Sequence, residues 1–217
     1  MQKNDVIDLI SKEKIIVIVR GVKKDKLIAL AEAMYAGGIR LLEITYDANQ
    51  SPTDEQTAES IKLLTSHFGD KMIIGSGTTT KESQVVLTKN AGGKFIISPD
   101  TYDAVIKKTC ECGLVSIPGA VTPSEIQTAH RCGADFVKIF PSVNLGCGYI
   151  KAISAPLSNI KFLAVGGIDE TNMTDYLKAG VCGFGIGSNI TNKKMIEEND
   201  WQGICELAKK YVSVVKG

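Results

Sequence analysis

Short runs of β-branched and aromatic residues alternate with longer stretches of helical period from one end of this chain to the other. The runs that read as strands are Ile15–Arg20, Leu41–Thr45, Met72–Gly75, Phe95–Ser98, Leu114–Ile117, Phe136–Phe140, Phe162–Val165 and Phe184–Gly187. The segments between them carry helix stop signals: Ala36-Gly-Gly38, Ala91-Gly-Gly93, Cys112-Gly113 and Ala179-Gly180. Start signals recur as well. Thr122-Pro-Ser-Glu125 reads as a capping box with proline at the first helical position, and Thr79-Thr-Lys-Glu82 as a second box. A further helix, Lys3–Ser11, precedes the first strand. The last helix has an apolar stripe at Ile204, Leu207, Ala208, Tyr211, Val212 and Val215.

Strands that alternate with helices imply parallel pairing and right-handed crossovers. Eight such units in 217 residues match the size of an α/β (β/α)8 TIM barrel, with helix Lys3–Ser11 covering its bottom. No Pro/Gly/Ser-rich linker interrupts the chain, so residues 1–217 read as one barrel domain. A doubly wound open sheet is the competitor, weakened because no G-x-G-x-x-G follows the first strand.

Composition narrows the partners. The chain is 44% hydrophobic, too apolar for a disordered protein, and its 25 basic and 24 acidic side chains leave a net charge of +1. That balance gives no footprint for nucleic acid. No apolar run approaches the ~18–20 residues that span a bilayer, and the N-terminus lacks a signal peptide's layout. The expectation is a soluble, cytoplasmic protein acting on a small molecule. Six cysteines, at 110, 112, 132, 147, 182 and 205, show no metal-ligand spacing and read as reduced structural thiols. With His67 and His130 the only histidines, metal-free chemistry is the default.

A barrel places its chemistry at the C-terminal ends of its strands. Two ionisable residues sit inside otherwise apolar strands there: Glu43 in L-L-E-I-T and Lys138 in F-V-K-I-F-P. Alternation puts Leu41, Glu43 and Thr45 on one face, and Phe136, Lys138 and Phe140 on one face, so both charges point into the barrel. Two readings stand. Either the two form a structural ion pair, or Lys138 is an amine whose pKa is depressed by burial and by a nearby cation such as Arg20. It would then attack a carbonyl while Glu43 moves protons. Val165-Gly-Gly167 and Gly185-Ile-Gly-Ser188 end the seventh and eighth strands, where such barrels bind phosphate through backbone N–H groups; the plain alternative is two tight turns. Gly75-Ser-Gly-Thr78 reads as a small-residue turn that seats a carboxylate or simply begins a helix. Ser98-Pro99 and Pro118-Gly119 read as strand ends, Lys23, Lys24 and Lys26 as a solvated helix start, and Cys147 as a bystander.

These blocks, in this order, resemble the family of 2-keto-3-deoxy-6-phosphogluconate (KDPG) and 4-hydroxy-2-oxoglutarate (KHG) aldolases. The matching segments are V-I-V-R ending at Arg20, A-G-G-I-R-L-L-E-I-T around Glu43, G-S-G-T ending at Thr78 and F-I-I-S-P ending at Pro99. They continue with I-P-G-A-V-T-P-S-E-I from Ile117, F-V-K-I-F-P around Lys138, and the late G-G and G-S turns. The resemblance implies a class I, metal- and cofactor-independent aldolase on a (β/α)8 barrel, usually a homotrimer. It makes Lys138 the Schiff-base lysine and Glu43 the general acid/base. Arg20, Thr78, Pro99 and Phe140 fall where the family lines the pyruvate pocket, and Gly166, Gly167 and Ser188 where it holds the substrate's phosphate. The implied reaction is reversible cleavage of a 2-keto-3-deoxy sugar acid, foremost 2-keto-3-deoxy-6-phosphogluconate, to pyruvate and glyceraldehyde 3-phosphate. Cleavage of 4-hydroxy-2-oxoglutarate to pyruvate and glyoxylate is a further expectation. The rivals are a phosphosugar isomerase or epimerase, a thiamin-phosphate-synthase-like barrel, and a barrel that binds a keto acid or phosphosugar without turnover. Two departures stand out. Many members carry an arginine four residues after the glutamate, where this chain has Asp47, and P-T-G-G is replaced by Ala164-Val165-Gly166-Gly167.

Overall fold

Nine parallel strands curl into a barrel in this computed structural model, which describes residues 1–216. In chain order they are β1 (Ile15–Val19), β2 (Leu41–Thr45), β3 (Ile73–Gly77), β4 (Phe95–Ile97), β5 (Val115–Ile117), β6 (Gly119–Ala120), β7 (Val137–Ile139), β8 (Phe162–Val165) and β9 (Gly183–Ile186). Hydrogen-bonded neighbours run β5-β4-β3-β2-β1-β9-β8-β7-β6. β5 and β6 are two halves of one strand, cut at Pro118, which has no N–H to give the ladder. The seam closes where Lys138 N donates to Pro118 O at 2.8 Å and Phe136 N donates to Ser116 O at 3.2 Å. The fold is therefore the (β/α)8 barrel, and the open sheet is ruled out because its two edges meet.

The strands are wrapped by α2 (Lys24–Ala36), α3 (Asp54–Phe68), α4 (Glu82–Asn90), α5 (Asp103–Glu111), α6 (Pro123–Arg131), α7 (Ser142–Ser154), α8 (Met173–Ala179), α9 (Lys193–Glu198) and α10 (Trp201–Lys216). α1 (Lys3–Glu13) precedes them. Outward strand residues such as Val17, Leu42, Ile44, Ile74, Val137 and Ile139 pack under Leu27, Leu30, Ile61, Leu64, Ile204 and Ala208 of the helices. Each such buried side chain contributes ~1.5–3 kcal/mol. Inward residues form a second cluster: Ile16, Leu41, Ile73, Phe95, Val115, Phe136 and Leu163, closed from below by Val6 and Ile10 of α1. The barrel interior is thus apolar at the bottom, which leaves its polar inward residues at the top.

Several local expectations are corrected. Gly75 and Gly77 are not a turn but the second half of β3, which runs two residues further than its apolar run suggests. Their inner-face positions have no room for side chains: a Cβ on Gly75 would stand 2.3 Å from the Phe95 ring, and one on Gly77 would stand 1.5 Å from Glu43 Oε1. The box at Thr79 does not form. α4 begins at Glu82, and the Gln84 side chain accepts from Thr80 N at 2.9 Å instead. Thr79 is drawn into a buried hydroxyl chain, Thr79–Ser76–Thr88–Tyr46, with each link 2.9 Å. The box at Thr122 forms as read, with Thr122 N donating to Glu125 Oε2 at 2.7 Å and Glu125 N donating to Thr122 Oγ1 at 3.3 Å. The run expected to reach Phe140 stops at Ile139, because the chain turns into Pro141 and α7.

Candidate active site

Glu43 and Lys138 both lie on the inner face of the barrel and both are buried, 4% and 8% exposed respectively. Glu43 is the third residue of β2 and extends over β3, where the missing side chain of Gly77 makes its space. Lys138 is the middle residue of β7, opposite Gly119 of β6. No Lys138–Glu43 contact falls within the 4.0 Å of an ion pair, so the two do not form a closed structural pair. They are near enough to bias each other. Burial pushes Glu43 up to about 7, against the pull of Lys138 and Arg20. Burial also holds the Lys138 ammonium below its ordinary range; Glu43 opposes this, Arg20 reinforces it and Asp100 opposes it.

Arg20 follows β1 and donates to Thr78 Oγ1 at 2.8 Å. Thr78 follows β3 with φ of +53°, a left-handed backbone that few non-glycine residues adopt. Phe140 stands above Lys138, with Nζ 5.0 Å from the ring centroid. Pro99 follows β4, and its carbonyl oxygen lies against Gly119, the register partner of Lys138, where a Cβ would stand 2.3 Å from it. Arg20, Thr78, Pro99 and Phe140 thus all lie just past the C-terminal ends of β1, β3, β4 and β7.

A cleft of about 1020 Å³ opens on one side of the barrel mouth. Arg20, Phe140, Gly166, Gly167 and Ser188 line it; Thr78 and Pro99 belong to the opposite, β3–β4 side. Gly166 and Gly167 take φ of +90° and +74°, and side chains on them would meet Phe140 and Val143. Ser188 begins a single helical turn in which Ile190 N and Thr191 N donate to Gly187 O at 3.0 and 3.1 Å. The amides of Ser188 and Asn189 precede those two donors at the start of that turn, as at any helix beginning.

The basic cluster after β1 is not uniformly solvated. Lys24 pairs with Glu59 at 2.8 Å, whereas Lys23 and Lys26 line the cleft. Asp100 is a neighbour of Lys138 that periodicity missed; its only signal was its place just after Pro99 at a strand end. Asp47 engages its own loop. Its Oδ1 accepts from Asn49 N at 2.7 Å, closing its own loop. Cys147 is half-buried on α7 and packs against the helix layer, outside the cleft wall. Among the described residues no three His, Cys, Asp or Glu side chains cluster as a metal site, and no helix is long and apolar enough to cross a membrane.

A closed (β/α)8 barrel with a buried lysine and a carboxylate under one mouth defines a class of barrel enzyme with its chemistry at the strand C-termini. The model of the "KDPG and KHG aldolase" family matches residues 6–207, and this chain belongs to that family and is an aldehyde-lyase. The chain is 34% identical over 207 residues to the 2-dehydro-3-deoxy-6-phosphogalactonate aldolase of Escherichia coli, covering 95% of this chain and 98% of that one. It is 29% identical over 215 residues to the 2-dehydro-3-deoxy-phosphogluconate aldolase of Haemophilus influenzae, covering 97% of each. Among solved structures, the KDPG aldolase of Legionella pneumophila, with pyruvate captured as a covalent carbinolamine, superimposes with a TM-score of 0.85. It is 29% identical and covers 96% of this chain and 97% of that one.

Proposed function

We propose that the protein is a class I aldolase that cleaves a 2-keto-3-deoxy-6-phospho sugar acid to pyruvate and glyceraldehyde 3-phosphate through a Schiff base on Lys138. The observation that carries this reading is the buried Lys138 amine, held below its ordinary pKa beside a carboxyl group raised to about 7. An amine that is neutral more of the time is nucleophilic, and a carboxyl that titrates near neutrality both gives and takes protons.

In this reading Lys138 Nζ attacks the C2 ketone, and Glu43 supplies the proton that lets the carbinolamine lose water. The protonated imine then accepts the electron pair of the breaking C3–C4 bond, while the C4 hydroxyl proton leaves to a base and the aldehyde departs. The remaining enamine is protonated at C3, and water releases pyruvate and restores the amine. The iminium serves as the electron sink, so the cycle uses no cofactor. Arg20 and Thr78 bind the keto-acid carboxylate, Pro99 and Phe140 pack on its apolar side, and Gly166, Gly167 and Ser188 hold the phosphate through backbone amides and a hydroxyl.

The gluconate-configured acid is the foremost substrate, with 4-hydroxy-2-oxoglutarate as an unphosphorylated alternative. Val165 in place of a hydroxyl-bearing residue in the cleft wall makes the C4 epimer the sharpest comparison. The enzyme works in the cytoplasm as a homotrimer. Pyruvate release coupled to lactate dehydrogenase, with both C4 epimers and 4-hydroxy-2-oxoglutarate as substrates, tests the assignment. The largest kcat/KM falls on a phosphorylated acid if it holds, and no pyruvate from any of the three overturns it.

A further inference from the structure

Four cationic side chains, Arg20, Lys23, Lys26 and Lys193, stand in the cleft wall against one carboxylate, Glu197. That is a local excess of three positive charges in a chain whose net charge is +1. Two of the four are already engaged. Arg20 donates to Thr78, and Lys26 Nζ donates to Ile196 O at 3.1 Å, Glu197 O at 3.3 Å and Asn199 Oδ1 at 2.6 Å, closing the end of α9. Lys23 and Lys193 are exposed, and neither has an acidic partner within 4.0 Å. The adjacent Lys24, held by Glu59, shows the neutralised alternative.

The two free lysines stand at the starts of α2 and α9, the helices that follow the paired strands β1 and β9. Both stems leave fixed backbone. Lys23 O accepts from Lys26 N at 3.0 Å at the start of α2, and Asn192 Oδ1 accepts from Met195 N at 3.2 Å at the start of α9. Following the mouth away from Lys138, β8 brings the Gly166–Gly167 turn, β9 brings Ser188, and Lys193 and Lys23 come next. Lys23 and Lys193 therefore line the same cleft as Gly166, Gly167 and Ser188, and neither has an acidic partner. Each is a flexible point charge suited to a dianion rather than to one fixed geometry.

We propose that Lys23 and Lys193 form an outer grip on the substrate's distal phosphate and so set the preference for phosphorylated over unphosphorylated keto acids. The inference rests on the aldolase reading above. A dianion between two ammonium groups gains attraction from both, and their surface position makes that gain sensitive to salt.

The test is the Lys23→Gln/Lys193→Gln double variant, assayed with a phosphorylated 2-keto-3-deoxy acid and with 4-hydroxy-2-oxoglutarate. KM for the phosphorylated acid rises about tenfold, while kcat and the KM for the unphosphorylated acid move less than about twofold. The salt dependence of the phosphorylated KM also flattens. Titration calorimetry with inorganic phosphate, on wild type and variant, reads the same grip without turnover, and the variant binds phosphate about tenfold more weakly. An unchanged KM for the phosphorylated acid, an equal rise for both substrates, or equal phosphate affinity in the two proteins overturns the proposal. If wild type cleaves neither acid, the aldolase reading fails, and the calorimetric arm still decides the grip.

Discussion

The Ser142 hydroxyl ties the end of the strand that carries Lys138 to the end of the strand that leads into the glycine turn. Its Oγ donates to Ile139 O at 2.7 Å and accepts from Val165 N at 3.1 Å, fully buried. Tyr176 Oη donates to Ser142 O at 3.0 Å, and Val143 N donates to Gly166 O at 3.1 Å. One side chain thereby fixes the spacing between β7 and β8 at the level of the mouth. Ser142→Ala leaves a buried Val165 N–H without its partner, which costs ~1–3 kcal/mol. Urea unfolding should show that loss, and kcat/KM for a phosphorylated acid should fall more than that for an unphosphorylated one.

Gly77 is the position where fold and chemistry conflict most directly. A Cβ there would overlap Glu43 Oε1 at 1.5 Å, although the strand itself tolerates alanine. Gly77→Ala should keep the circular-dichroism spectrum of the barrel and lower kcat by about a hundredfold, because a displaced acid/base loses its alignment. A kcat within about twofold of wild type would show that Glu43 is not held where it acts.

Glu43 also ties pH to stability. Its carboxyl titrates at about 7 in the folded chain and near 4.5 unfolded, so the folded state binds the proton more tightly. The resulting stabilisation is full below about 4.5 and is lost as pH rises through about 7. Glu43→Gln removes this dependence. Relative to wild type, the variant should gain on the order of a few kcal/mol between pH 5 and pH 8, read by denaturant melts at both values. Its kcat/KM profile should also lose the ionisation near pH 7.

Asp47 stands where the resemblance to the aldolase family leads one to expect a cation, and an acid beside a keto-acid carboxylate would weaken binding. In this structure the carboxylate accepts from Asn49 N within its own loop. Asp47→Asn preserves that acceptor and should leave KM within about twofold of wild type. A KM that drops sharply in this variant would show that the charge does reach the substrate.

The architecture was legible because short apolar runs recur along the chain, many of them with a glycine or proline close by. The buried charges were legible for the same reason: Glu43 and Lys138 interrupt those runs in phase with the inward face. What periodicity could not give was anything set by packing across strands. Gly75 and Gly77 look like a turn until Phe95 and Glu43 occupy the space their missing side chains leave. Thr79 has the spacing of a cap, yet the buried hydroxyls of Ser76 and Thr88 offered it a better place. Lys23 and Lys24 are adjacent in sequence, and only the fold gives one of them Glu59 and the other the cleft.

The proposed chemistry requires a covalent bond between Lys138 and the keto acid. Lys138→Met should abolish turnover. It should also raise Tm, by about 2–4 °C for each kcal/mol of relieved desolvation, since a buried amine is replaced by a thioether. The most direct measurement is borohydride reduction of the wild-type protein with pyruvate, followed by peptide mass spectrometry. A Schiff-base mechanism leaves a reduced pyruvyl adduct on the peptide that contains Lys138, and none in Lys138→Met. An unmodified Lys138 peptide from protein that still releases pyruvate would contradict it.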